Sequence, residues 1–184
     1  MAGNHITDFI SGFGGGTRQN RFVITGDIGG KKASKQSDLG SNKIYIRTSS
    51  LPASTLGAIP INYRGRSVVY PGERVYAPWV ITVLDDVPNA KKKLYEAFHA
   101  WSNEINDHGT NTSPKTNGSD HFSKDWSVAQ LDTNGAKTIR QFDLKNCWPV
   151  SVGEIGLDMG SDNTLSSFAV TMAYSHFEYR TITG

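Results

Sequence analysis

The longest regular alternation of large apolar and small positions lies in Leu165–Tyr174, LSSFAVTMAY. Phe168, Val170, Met172 and Tyr174 share one parity; Ser167, Ala169, Thr171 and Ala173 share the other. A pleated strand turns a period of two into two different faces. One face is large and apolar and needs covering. The other is small and partly polar, fit to meet water, a second subunit or a ligand. The run spans roughly 33 Å at about 3.3 Å per residue. After Tyr174 the large residues change parity to Phe177 and Tyr179, which marks a bulge or the end of regular pairing. A single strand cannot offset the entropy of ordering its backbone, so the pattern predicts a sheet around it.

The rest of the chain supplies that sheet. Residues Met1–Gly16 end in GFGGG and read as a flexible arm, with 1–17 set apart from the body. RFVIT (Arg21–Thr25) is a short strand, and 27–42, rich in Gly, Ser and Lys, an exposed loop or hairpin tip. KIYIRT (Lys43–Thr48) alternates as a strand, and Leu51-Pro52 opens an extended segment through Ile59-Pro60. NYRGRSVVY (Asn62–Tyr70) reads as a strand containing a Gly, followed by a turn at Pro71-Gly72. YAPWVITVL (Tyr76–Leu84) is the next strand, with Pro78 at its start or on an edge.

One amphipathic helix follows. Leu94, Phe98, Trp101 and Ile105 recur at spacings of four, three and four and form one stripe. Asp86 or Asn89 can cap it, Pro88 suits its start and Gly109 its stop. Then 107–124 is a long polar loop. Asp125–Asp132 and Lys137–Leu144 are strands joined by Asn134-Gly135, a hairpin signal, and Pro149–Asp158 is a further strand. About eight or nine strands in hairpin order with one helix predict an antiparallel barrel or sandwich in a single domain over 1–184. Its core is expected to hold Phe22, Trp79, Ile81, Leu94, Phe98, Trp101, Trp148, Phe168, Val170 and Met172.

Composition narrows the function. The 184 residues are 37% hydrophobic and 20% charged, as in soluble globular proteins, and no apolar run is long enough to span a membrane. MAGNHITDFISGF lacks the basic and apolar regions of a secretory signal. The single cysteine, Cys147, excludes an internal disulfide framework and points to a reducing compartment. With no catalytic signature beside it, it reads as a small buried residue next to Trp148. A net charge of +2 is too mild for a nucleic-acid binder, although Lys31, Lys32 and Lys35 cluster, as do Lys91, Lys92 and Lys93.

No assembled chemistry emerges. Gly29-Gly30-Lys31 lacks the first Gly and the Ser or Thr of a phosphate loop, having Thr25 and Lys32 in those places. His108, Asp120 and His121 share a loop without metal-site spacing. Asp85, Asp86, Asp132 and Asp143 sit at strand ends and hairpins, where turns favour Asp, and His99 lies beside the helix stripe. Tyr45, Arg47, Tyr63, Arg64, Arg66 and Tyr70 make a candidate single-strand-binding face, equally explained by cross-strand aromatic pairing. No cofactor is expected.

Several stretches in order carry a resemblance. They are Asn20-Arg21-Phe22; Leu51-Pro52 with Ile59-Pro60; Tyr63-Arg64-Gly65-Arg66 before Pro71-Gly72-Glu73-Arg74; Trp79–Val83 ahead of the helix; Trp148-Pro149 to Gly153-Glu154; and Asp162-Asn163 before the final long strand. Over roughly Arg18–Glu178 the chain resembles the major tail tube proteins of contractile-tailed bacteriophages. The tubes of the type VI secretion system and related injection particles are similar in fold.

The resemblance implies a virion tail protein without catalysis, assembled in the host cytoplasm. Its hexameric rings would stack into a hollow tube inside a contractile sheath, meeting baseplate and tail-terminator proteins, with DNA passing through the lumen. It makes Phe13, Arg21, Leu51, Pro52, Ile59, Pro60, Arg64 and Arg74 candidate contacts between subunits or rings. Lys91, Lys92 and Lys93 become candidates for facing the sheath. The lysine clusters are expected away from the channel, because each cation gripping a phosphate would slow DNA. The alternatives are an injection-system tube subunit and, in another class, a monomeric barrel that binds single-stranded nucleic acid.

Overall fold

A computed structural model describes residues 6–13, 15–29, 45–85, 94–113 and 122–181. In chain order these form α1 (Ile6–Gly12), β1 (Phe22–Gly26), β2 (Ile46–Ser49), β3 (Ser54–Tyr63), β4 (Arg66–Tyr76), β5 (Trp79–Leu84), α2 (Leu94–Ile105), β6 (Lys124–Leu131), β7 (Thr138–Val152), β8 (Ser167–Ala173) and β9 (His176–Thr181). Seven strands make one antiparallel sheet in the order β1-β6-β7-β8-β5-β2, with β9 also on β7; β3 and β4 pair only with each other. The mainly β, antiparallel fold expected from the hairpin order is what forms.

The alternating run becomes β8. Phe168, Val170 and Met172 are buried while Ala169 is exposed. Val83, Ile81 and Trp79 of β5 stand directly opposite them and so share that face. Helix α2 lays Leu94, Ala97, Phe98 and Trp101 onto the same core. After Tyr174 the chain bends at Ser175 and resumes as β9 along the same edge of β7, so the parity change marks a break in regular pairing. The Ser175 N–H donates to the Lys145 carbonyl at 2.9 Å, which keeps the ladder connected across the break.

Three buried indoles each donate to a loop carbonyl, as a Trp N–H removed from water must. Trp79 reaches Ser50 (2.8 Å), Trp101 reaches Phe122 (2.8 Å) and Trp126 reaches Asp27 (3.1 Å). Two glycines make room: a Cβ on Gly26 would strike the Trp126 ring, and one on Gly29 the Trp101 ring. Gly29 therefore belongs to the core packing, not to a phosphate loop. Its neighbour Ile28 is fully buried, so the polar segment beginning at Asp27 is anchored in the core rather than exposed along its whole length.

Other expectations need correcting. The arm, expected to be flexible, carries a short helix, α1, ahead of its Gly-rich end. The strand expected over Asn62–Tyr70 is instead a hairpin: Arg64 (φ 49°) and Gly65 (φ 78°) form its tip, and Tyr63 pairs with Arg66. Pro71-Gly72, expected to be a turn, lies inside β4 at a bulge opposite Gly57. There the two glycines approach so closely that a Cβ on Gly72 would come 3.2 Å from the Gly57 backbone. The strands expected at Lys137–Leu144 and Pro149–Asp158 are one strand, β7, ending at Val152, and 153–166 is a loop. Pro149 is tolerated because β7 has only β8 beside it there. Phe22 and Trp148, expected in the core, only flank it half-buried, while Ile24, Trp126, Val128 and Leu144 complete it. Asn134-Gly135 does join β6 to β7, with Gly135 at φ 73° and the Asp132 N–H bonded to the Lys137 carbonyl. The helix caps Asp86, Pro88 and Asn89, residues 30–42 of the first long loop and 114–121 of the second lie outside the described residues.

Candidate assembly interface

Hairpin β3–β4 stands apart from the sheet. Past its bulge, Ile59 opposes Tyr70, Ile61 opposes Val68 and Tyr63 opposes Arg66, and directly opposed residues share a face. That face is large and apolar. The other carries Ala58 with Pro71, Pro60 with Val69, and Asn62 with Ser67, and is smaller and more polar. Both are open to solvent: Ile59, Ile61 and Tyr63 are 52%, 51% and 66% exposed. A two-stranded ribbon with its apolar face in water is marginal by itself. Its base is held by the body. Tyr76 packs edge-on against Phe177 with ring centroids 5.4 Å apart, and within the hairpin itself Arg74 Nη1 donates to Ser54 Oγ at 2.6 Å. At the tip, the Arg64 guanidinium lies 5.4 Å from the centre of the Tyr63 ring, a cation–π pair.

The main sheet offers a second kind of surface. Its strand order runs from β1 to β2, with β9 a further edge beside β7, and residues of β1 and β2 line one groove of about 690 Å³ that includes Phe22, Val23, Ile46 and Arg47. Leu51 lines its continuation. The outward face of β5 and β8 consists of Val80, Thr82 and Leu84 with Ser167, Ala169, Thr171 and Ala173, none of them charged. Thr48 of β2 donates to Thr82 across it (2.7 Å).

The candidate contacts fall on these surfaces. Ile59, Pro60, Arg64 and Arg74 are exposed on the hairpin, with Leu51 and half-buried Pro52 leading into it. Arg21 precedes edge strand β1, and Phe13 is exposed after α1. Tyr63, Arg66 and Tyr70 stand on the same hairpin face, where Ile61 and Val68 join them; the sequence hides that pairing because Pro71-Gly72 signals the turn in the wrong place. Lys31, Lys32, Lys35, Lys91, Lys92 and Lys93 lie outside the described residues.

The residues weighed for chemistry do not come together. Cys147 is buried and its thiol is pushed up to about 12 by burial, far from a reactive thiolate. Asp107 accepts from Gly109 N, Thr110 N and Thr110 Oγ1, so its carboxyl is held below the ordinary range by bonds that shape a turn. Asp143 pairs with Arg180 at 2.9 Å, and Asp132 bonds its own turn at Thr133 N. His99 packs edge-on against Tyr95 at 4.5 Å. Asp120 and His121 lie outside the described residues, and among those described no three His, Cys, Asp or Glu groups gather to hold a metal. The proposed aromatic and Arg face is split: Tyr45 and Arg47 sit at β2, whereas Tyr63, Arg64, Arg66 and Tyr70 sit on the hairpin. No helix is long and apolar enough to cross a membrane among the described residues.

A family model described as phage tail tube protein matches residues 19–180, nearly the whole chain. The chain belongs to the phage tail tube protein family. It is therefore a structural protein of the virion tail. The tail tube protein of Enterobacteria phage T4 is 28% identical over 143 residues, covering 76% of this chain and 83% of that one. The tail tube protein of Serratia phage KSP90 is 26% identical over 171 residues, 93% of each. Among solved structures, a chain of the anti-feeding prophage baseplate matches with a TM-score of 0.64 at 13% identity, over 92% of this chain and 98% of that one. A chain of an extracellular contractile injection system's sheath–tube complex matches with a TM-score of 0.60 at 16% identity, over 96% and 98%. These likenesses show that the tail tube fold is shared.

Proposed function

We propose that this tail tube chain forms closed hexameric rings that stack into a hollow conduit for DNA, performing no catalysis. The observation that carries the reading is the amphipathic hairpin β3–β4, whose apolar face its own chain leaves in water. Such a face is stable in a finished particle only when another copy covers it. Open edges β1 and β2 would pair with neighbouring subunits, so that ring closure removes the edges a lone sheet must protect. The 6-fold symmetry applied to the anti-feeding prophage baseplate supports the hexameric count. The uncharged outward face of β5 and β8 suits a water-filled lumen, because Thr, Ser and Ala offer no cation to grip a phosphate. Outside the tube, sheath, baseplate and terminator proteins are its partners, as the sheath–tube, baseplate and terminator assemblies of its structural relatives support. Lys91, Lys92 and Lys93 remain the proposed sheath contacts.

Negative-stain electron microscopy of the concentrated protein, at low and high salt and with assembled baseplates added, tests this reading. Hollow rods or rings of uniform width are expected. Isolated particles under every one of these conditions would overturn it.

A further inference from the structure

We propose that the hairpin tip of one copy docks on the 153–166 loop of a second copy, making a head-to-tail contact. The inference rests on the tube reading and adds the partner surface to it.

The two surfaces lie at opposite ends of the sheet. The hairpin joins the body where β5 begins: Trp79 pairs with Met172 there, and Tyr174 Oη donates to the Ala53 carbonyl at 3.4 Å. The 153–166 loop joins the body where β5 ends. Leu84 pairs with Ser167, Asp85 N donates to Ser166 O at 2.9 Å, and Gly153 N donates to Ala169 O at 2.7 Å. A contact between different surfaces at opposite ends of one subunit is heterologous, so every copy still offers a free end to the next.

The surfaces are also complementary. The hairpin tip is basic and aromatic, with Arg64 and Arg66 flanking the exposed apolar face. The loop carries Glu154, Asp158 and Asp162, all exposed, and no Lys or Arg. Its large apolar side chains stand out: Leu157 is 89% and Met159 104% exposed. A knob of this kind in water needs a partner as much as the hairpin does. The loop is shaped in advance. Asp158 Oδ1 accepts from Gly160 N at 3.0 Å, and Ser161 N donates to Asp158 O at 3.3 Å. Hydrophobic contact would supply the affinity, and the opposed charges the register.

Charge exchange tests the contact. Arg64→Glu with Arg66→Glu, and separately Asp158→Lys with Asp162→Lys, should each lower the yield of stacked rods by at least about tenfold, since like charges then meet. Combining all four should restore rods to near the original yield. A second measurement mixes Tyr63→Cys and Met159→Cys proteins under mild oxidation, the native Cys147 being buried. A disulfide between the two variants is expected. If the original protein forms rods but reversal changes nothing, or the combination recovers nothing and no cross-link forms, the docking is wrong and the tube reading stands. If the original protein does not assemble and the two cysteine variants do not cross-link, both are wrong.

Discussion

Strands β8 and β3 are written in the same alternating code and meet opposite fates. In β8, Phe168, Val170 and Met172 are 1%, 0% and 0% exposed. In β3, Ile59, Ile61 and Tyr63 alternate as regularly and stay half in water. The difference lies in what the fold sets beside each. β8 has strands on both sides and α2 packed over its large face, with Phe98 and Phe168 rings 6.2 Å apart. β3 has only β4. A period-2 pattern shows that a face must be covered without saying by which molecule. In an assembling subunit the uncovered pattern marks where the next copy belongs.

The largest contrast is expected from truncating a large side chain in the body. Trp126→Ala removes a ring that packs edge-on against Trp79 at 5.9 Å and frees the Asp27 carbonyl. Denaturant melts should show a loss of about 3–5 kcal/mol. Gly26→Ala should cost about 1–3 kcal/mol in the same assay, since its Cβ must push the Trp126 ring aside. The pair Ile59→Ser and Ile61→Ser should move the melt of the unassembled chain by less than about 0.5 kcal/mol, yet remove rods from electron micrographs. An equal loss of stability there would mean that the hairpin is covered by its own chain.

The smallest effect is electrostatic and confined to the body. Lys145 Nζ donates to Asp125 Oδ2 at 2.8 Å, which holds the Asp125 carboxyl below its ordinary value, helped by the Asn146 N–H. A lowered carboxylate stabilises the fold above its unfolded pKa of about 3.9, and that stability is lost as pH falls through the folded value. The same pair raises Lys145, so the contribution of the lysine is complete below its unfolded pKa and fades at alkaline pH, above about 10.4. The pair is largely exposed, so acid melts of Asp125→Asn should differ from the original only slightly, and only above the carboxylate range. No such difference is expected for the hairpin, where Arg64 and Arg66 have no ion pair among those the described residues form.

What was legible in the sequence follows the same division. The β8 alternation, the Leu94–Trp101 stripe and the Asn134-Gly135 connection each depend on local chemistry that the fold does not override. The hairpin tip is hard to read because Arg64 adopts a left-handed φ that Arg seldom takes, while Pro71-Gly72 is a louder turn signal seven residues past the true tip at Arg64-Gly65. β7 was split because Asn146, also at positive φ, and Pro149 look like breaks, yet β8 and β9 pair along it on both sides of them. Ile28 is one apolar residue among Gly and Lys, and its burial comes from the core cluster that the fold gathers around it. The family resemblance was legible from ordered short motifs. Which copy covers which surface was not, because a single chain carries only half of each contact.

Hydrogen exchange over 54–76, compared between unassembled chains and finished rods and referenced to 167–173, tests the claim that another copy covers the hairpin. The hairpin should exchange quickly when free and become strongly protected in rods, while β8 stays protected in both. Equally fast exchange of the hairpin in free chains and in rods would contradict it.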